Sequence, residues 1–277
     1  MRRRFAAHLG LREPLQPLFA GLAGSDDPCV QIGWLKEQGF AGVFDNGVSA
    51  RPVAEQSAIG AAVARHGLTF GSIALDPIGW STPLWTRSDA DAQAEQRAVL
   101  DHALAAAARV GSDSIGCVTG ITPDQSIQAQ QQAMADNLAR VADVAAAAGV
   151  RLCVETVAEQ WIPGLLLRRL EEAVAVVDRV DHPAVRLAYD VGHIAMVGDD
   201  PVAGIASAGA RIGFVQIADA PARADPGAGT VNWRSLFAAL DDIGYNGLIE
   251  VETLPMTPGV EGEAALLAGL RKIDELK

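Results

Sequence analysis

Eight short apolar runs rich in β-branched residues punctuate this chain, separated by longer stretches of helical period, and no other feature constrains its fold as tightly. The runs are "RFAAHL" (4–9), "AGVFD" (41–45), "LTFGSIAL" (68–75), "SDSIGCV" (112–118), "VRLCVE" (150–155), "VRLAYD" (185–190), "RIGFVQI" (211–217) and "GLIEVE" (247–252). Residues 51–65, 89–110, 123–148, 164–180, 233–243 and 261–276 carry the Ala- and Leu-rich spacing of helices. Gly39, Gly67, Gly111, Gly149 and Gly244 stand before strands, where helix stops are expected. Such alternation predicts a parallel sheet with right-handed crossovers. Eight repeats predict a closed (β/α)8 TIM barrel, with an open doubly wound sheet as the second choice. No repeat period, low-complexity tract or linker interrupts the series, so one TIM-barrel domain over residues 1–277 is expected.

Composition narrows the function classes. At 277 residues, 49% hydrophobic and 20% charged, the chain can bury a large core. A net charge of -12 argues against nucleic-acid and anionic-membrane partners, whose phosphates require a basic face. No apolar run approaches the roughly 20 residues of a membrane span. The opening "MRRRFAAHLGLREP" resembles a signal peptide until Arg12 and Glu13 cut the apolar stretch short, and a first strand is the better reading. Cys29, Cys117 and Cys153 are odd in number and lack metal-ligand spacing, which fits reduced core thiols in a cytoplasmic protein.

In a barrel the chemistry belongs at the C-terminal strand ends. The last polar residues of the fifth to eighth strands are Glu155, Asp190, Gln216 and Glu252. Taken singly, each reads as a strand-end group capping a loop. Together they converge on one side of the mouth, where three buried carboxylates require a compensating cation. Four oxygen donors suit Mg²⁺ or Mn²⁺ better than zinc, and Co²⁺ also accepts octahedral sites.

At these residues the sequence resembles a known family. "CVETVAEQWIPG", "LAYDVGHIAMVGDD", "RIGFVQIADAPARADPGAGTVNW" and "GYNGLIEVETLP" are similar to motif blocks of the hydroxypyruvate isomerase family. That family lies within the xylose-isomerase-like TIM barrel superfamily of sugar isomerases and epimerases. The likeness is dense from Val150 to Pro255 and thinner before, although "RFAAHLG" resembles the family's first strand. It implies that Glu155, Asp190, Gln216 and Glu252 are metal ligands and that Glu155 and Glu252 form the acid/base pair. It also implies a histidine at the position of His193, facing substrate or orienting a ligand. Arg223 could bind a distal hydroxyl or carboxylate of the substrate, or lie exposed in its loop. His8 and Asp45 could reach the pocket from the opposite wall or hold structural roles. Trp80, Trp85 and Trp161 could wall the pocket or act as ordinary cover. His66, His102 and His182 read as surface residues. "GAGT" at 227–230 lacks a Walker lysine and reads as a turn, and no dinucleotide fingerprint follows the first strand. Asp199 and Asp200 read as a helix cap with Pro201 in the first turn.

The chain departs from the family's usual pattern on the substrate side. Ala158, Gln160 and Trp161 replace a run that contains arginine, Phe44 replaces a glutamate, and Thr253 and Leu254 replace an aromatic and a lysine. Thr230 stands where glutamate is usual. The expected function is a divalent-metal-dependent, aldose–ketose type isomerase of a small hydroxy-carbonyl or sugar substrate, with hydroxypyruvate the nearest named candidate. The alternatives are a ketose 3-epimerase, an inosose- or dehydroshikimate-type dehydratase on the same metal site, and a non-catalytic carbohydrate-binding barrel. Barrels of this kind also lead us to expect a homo-oligomer by analogy.

Overall fold

Strand and helix alternate along the chain as the patterning predicts. A computed structural model describes residues 1–276 apart from Glu13, so that residue's part in ending the opening apolar run lies outside the described residues. The strands are β1 (Phe5–His8), β2 (Gly42–Phe44), β3 (Thr69–Phe70), β4 (Ile73–Ala74), β5 (Ser114–Cys117), β6 (Arg151–Glu155), β7 (Val185–Asp190), β8 (Ile212–Ile217) and β9 (Ile249–Val251). Every ladder is parallel, in the order β3-β2-β1-β9-β8-β7-β6-β5-β4. The two ends of that order are adjacent in sequence. Residues 69–74 pair with β2 at one end and with β5 at the other, which closes the sheet into a barrel. The expected third strand is thus one barrel position in two pieces. It breaks at Ser72 because the Ser72 amide leaves the ladder and donates to Glu250 Oε1 at 2.7 Å.

Among the described residues ten α-helices accompany the strands: α1 (Ala20–Ala23), α2 (Pro28–Glu37), α3 (Val53–His66), α4 (Ala90–Val110), α5 (Ile127–Ala147), α6 (Leu170–Val180), α7 (Val191–Met196), α8 (Pro201–Ala208), α9 (Trp233–Asp242) and α10 (Val260–Asp274). All five glycines read as helix stops have positive φ. Helix α6 begins at Leu170 rather than Gly164, because Glu172 collects the amides of Arg168 and Arg169 at 2.7 and 3.0 Å and fixes the first turn there. Asp200 caps α8 by accepting from Val202 N at 2.8 Å, with Pro201 in the first turn. Asp199 does not join it. That carboxylate pairs with Arg169 at 2.5 Å instead.

The main core lies between sheet and helices, where Phe5, Ile32, Leu35, Ile59, Leu100, Ile115 and Phe237 are essentially fully buried. Each such side chain contributes about 1.5–3 kcal/mol through burial. The barrel interior is lined instead by small groups such as Ala6, Cys153 and Ala188 beside Phe44 and Phe214. Free Cys117 and Cys153 are buried and Cys29 is partly buried. Among the described residues, no helix is long and apolar enough to cross a membrane.

Candidate active site

The C-terminal ends of β6 to β9 bring the carboxylates together. Asp190 and Gln216 are directly paired across β7 and β8, and Gln216 and Glu250 across β8 and β9. Glu252 lies one residue beyond β9, tied by its amide to Ile217 O at 3.0 Å. Ligand atoms of Glu155, Asp190, His193 and Glu252 all lie within 4.8 Å of one another. His193 belongs to a helix rather than the loop expected from the sequence. The Asp190 side chain caps α7 by accepting the His193 amide at 2.7 Å, so the local turn fixes both residues at once. The His193 ring then spans from the Ala158 amide, 3.4 Å from Nδ1, to Glu155 Oε1, 4.0 Å from Nε2.

Arg223 enters this cluster rather than lining its rim. Its guanidinium donates to Asp190 Oδ1 and Oδ2 at 3.1 and 3.0 Å and to Glu252 Oε2 at 2.7 Å. The residue sits at φ 50°, a left-handed conformation that is costly for a side chain of its size. Its neighbours hold it there. Thr253 Oγ1 donates to Arg223 O at 2.5 Å. Asp219, fully buried, accepts from the amides of Ala220, Gly227 and Val231 and from Trp233 Nε1, each at 2.9 Å. The "GAGT" turn is therefore bound into a loop organised around Asp219. Neither Asp219 nor Asn46, whose Nδ2 donates to Glu252 Oε1 at 2.8 Å, stands out in the sequence. Asn46 resembles an ordinary turn residue in "FDNG", and Asp219 one more loop carboxylate.

Three carboxyl groups share one guanidinium, and burial sets their charges apart. Burial pushes Glu155 well above the usual carboxylate range, and Glu252 and Asp190 add to the effect. Burial likewise pushes Glu252 up to about 8, despite Arg223. Asp190 goes the other way. Burial works against its charge, but Arg223 and His193 hold it at about 2. The two carboxylates sharing Arg223 differ because Asp190 takes two of the guanidinium contacts and the helix-cap amide as well, so it stays ionised. His193 is pushed down to about 4 by burial, which leaves its ring neutral.

The donor set fits a hard divalent cation. Three carboxylates face one arginine, and Gln216 Oε1 is buried with no hydrogen-bond partner among the described residues. An oxygen without a partner beside carboxyl groups whose charge is held back by burial is what an oxygen-ligated cation would satisfy. Glu155, Asp190, Gln216 and Glu252 could hold it, with His193 adjacent.

The other sequence candidates are not part of this cluster of ligand atoms. His8 is 1% exposed, and its Nε2 meets the carbonyl of Thr253, the neighbour of Glu252, at 3.2 Å. Asp45 is fully buried and paired with Arg51 at 2.7 Å, the structural alternative considered for it. Trp161 is 43% exposed on the loop after β6, and Trp80 is partly buried. Trp85 is 3% exposed within the core and is not a lid residue, because the short turn at Leu84–Thr86 packs it inward. His66 and His182 are partly exposed and His102 is exposed, as expected.

Comparison with known proteins agrees with this architecture. The family model described as xylose isomerase-like TIM barrel matches residues 32–276. A 2-oxo-tetronate isomerase from Cupriavidus necator is 32% identical over 164 residues, covering 59% of this chain and 63% of that protein. The hydroxypyruvate isomerase of Escherichia coli is 29% identical over 166 residues, 60% of this chain and 62% of that protein. The chain thus spans less than two thirds of the length of these curated relatives. A solved AP endonuclease, family 2, from Brucella melitensis superposes with a TM-score of 0.79 at 25% identity, covering 96% of this chain and 98% of that one. D-psicose 3-epimerase from Clostridium cellulolyticum H10, with D-tagatose, is alike in fold, with a TM-score of 0.76 at 21% identity over 90% of this chain and 93% of that one. Closed parallel barrel, strand-end carboxylates and family match coincide, and the chain belongs to the xylose isomerase-like TIM barrel family.

Proposed function

We propose that this protein is a divalent-metal-dependent isomerase of small hydroxy-carbonyl compounds, with hydroxypyruvate and 2-oxo-tetronate as the nearest substrate classes. The observation that carries the reading is the cluster of Glu155, Asp190 and Glu252 around a single arginine at the barrel mouth. Relatives named as isomerases of such compounds support it. A net charge of -12 weighs against a DNA substrate, although one structural neighbour is named as an endonuclease.

Moving a carbonyl by one carbon requires taking a proton from the carbon beside it and returning it to the neighbouring carbon. A divalent cation, when bound, polarises the substrate carbonyl and favours the enediolate. Glu155 accepts no hydrogen bond among the described residues, and the neutral His193 ring lies 4.0 Å away through Nε2. With a cation opposing the burial that raises it, Glu155 would be the ionised carboxylate free to take the proton. Glu252, held by Asn46, Gln216 and Arg223, stays fixed across the cluster and returns it. Asp190 stays ionised and orients Arg223 and the α7 amide. His193, neutral and buried, is placed to donate to or accept from a substrate oxygen.

With Mn²⁺ present, Glu155→Gln and Glu252→Gln should each lower solvent-deuterium incorporation into hydroxypyruvate or 2-oxo-tetronate by roughly 10²–10⁴-fold while the fold is kept. Undiminished exchange in both variants would sink the reading. A second outcome on the same site is 3-epimerisation, supported by the 32% identity to D-psicose 3-epimerase from Ruminiclostridium cellulolyticum over 127 residues. NMR of the products separates the two, and a dehydrated product would point to a lyase.

A further inference from the structure

The candidate ligands Glu155, Asp190, Gln216 and Glu252 all stand at the ends of β6 to β9. A substrate held over them faces, with the rest of its length, the wall built by β1, β2 and the split third strand. That wall is nearly closed to polar recognition. His8, Asp45, Ser49 and Ser72 are each 3% exposed or less. Phe44, at the end of β2, packs into the barrel against Ala6 and Leu248. Two residues further on, Asn46 is only partly buried, and its Nδ2 donates to Glu252 Oε1 at 2.8 Å. That bond settles the rotation of the amide, because turning it over would set Oδ1 against the carboxyl oxygen. Oδ1 is therefore the end held away from Glu252, and it accepts no hydrogen bond among the described residues.

The backbone that carries Asn46 is tied on every side. Its amide donates to Gly10 O at 3.0 Å, and its carbonyl accepts from Ala74 N at 3.3 Å. Its neighbour Asp45 accepts from Gly47 N at 2.9 Å and from Arg51 Nε at 2.7 Å. A side chain on so fixed a turn offers its free atom at a defined place. We propose that Asn46 is a specificity-determining residue whose Oδ1 accepts a hydrogen bond from a substrate hydroxyl on the carbon beyond the reacting pair. This rests on the isomerase reading of the site above. A carbonyl oxygen selects a donor, so it takes a hydroxyl and turns away a carboxylate, which at neutral pH has no proton to give. The favoured substrate class is thus a hydroxy-carbonyl chain that continues past the reacting carbons. Of the two compounds considered above, 2-oxo-tetronate carries a terminal hydroxymethyl group beyond the reacting pair, whereas hydroxypyruvate stops at it.

The test is direct binding of both compounds, read by isothermal titration calorimetry on Mn²⁺-loaded Glu155→Gln, in which turnover is suppressed. Asn46→Leu keeps the size of the side chain and removes Oδ1. Added to Glu155→Gln, it should weaken binding of 2-oxo-tetronate relative to hydroxypyruvate by roughly 5–10-fold, the range for one lost hydrogen bond. The ratio of the two Kd values cancels any loss that both compounds share through Glu252. Asn46→Ala should shift the ratio in the same direction and gives the readout should the leucine variant fold poorly. A ratio within twofold of that in Glu155→Gln alone would overturn the inference and leave Asn46 only as a support for Glu252. Binding of hydroxypyruvate alone would overturn it too. Binding of neither compound, by the unaltered protein as by Glu155→Gln, would overturn the substrate reading itself, and this inference with it.

Discussion

The two halves of the barrel mouth treat buried charge in opposite ways. On the β1–β2 side, Arg51 meets Asp45 at 2.7 Å and Glu55 at 2.5 Å, and its remaining Nη donates to Leu9 O at 2.9 Å. On the β6–β9 side, one guanidinium serves Asp190 and Glu252, Glu155 stands beside them without a hydrogen bond, and Gln216 Oε1 has no partner among the described residues. Both groups pair an arginine with a carboxylate at a strand end, Asp45 in the first and Asp190 in the second. Among the described residues, both oxygens of buried Asp45 are used, whereas the second group sits beside a buried amide oxygen with no partner. A satisfied buried pair holds loops together, whereas an unsatisfied one has capacity for a ligand, so the count of free acceptors tells the two apart better than residue type does.

The sharpest way to break this contrast is to unbalance the satisfied half. Arg51→Ala leaves Asp45 buried without its counter-charge, and removing one partner of such a pair costs about 3–5 kcal/mol. Urea denaturation should show that loss with and without Mn²⁺. Recovery of the stability by Mn²⁺ would mean that the β1–β2 side also takes a cation, and the contrast would fail.

Acid probes the same half from the other direction. Burial pushes His8 down from 6.5 to about 4. Between those values the unfolded chain binds the proton and the folded chain does not, so stability is lost as pH falls from about 6.5 towards 4 and is flat above. A gap of that size is worth roughly 3 kcal/mol. His193 is shifted in the same direction, so the measurement is a difference. Urea midpoints from pH 7 to 4.5 should fall less steeply in His8→Asn than in the unaltered protein, by up to about 1.4 kcal/mol per pH unit. Parallel curves would show that His8 is charged in the folded state.

These contrasts also mark what could be read from sequence. Strand-end position alone singled out Glu155, Asp190, Gln216 and Glu252, because in a parallel barrel the last inward residue of each strand faces the mouth. Helix caps were legible for the same local reason, as Asp200 with Pro201 shows. Arg223 is legible as a candidate for the pocket, but its contact with the carboxylates is not, since that depends on its own left-handed backbone and on Asp219 gathering donors from both sides of the loop. Glu250 lies two residues before the strand-end Glu252 and so is not marked by strand-end position, and the partner of Asn46 is far away in sequence. The break at Ser72 follows from a contact with β9 that no local pattern encodes.

The smallest expected effect addresses the unsatisfied half. A ligand that binds only the folded chain stabilises it in proportion to the logarithm of its concentration, by about 2.7 kcal/mol at a hundred times Kd. Titrating Mn²⁺ should raise the unaltered protein's midpoint by that increment. Asp190→Asn keeps a side chain able to cap α7 but removes a charged ligand, so most of the increment should disappear. Asp45→Asn alters an equally buried carboxylate of the same mouth and should keep it in full. If both variants lost the increment equally, the cation would be responding to the overall charge of the barrel end. Loss in Asp190→Asn alone ties it to the carboxylates around Arg223, where the acceptors outnumber the donors.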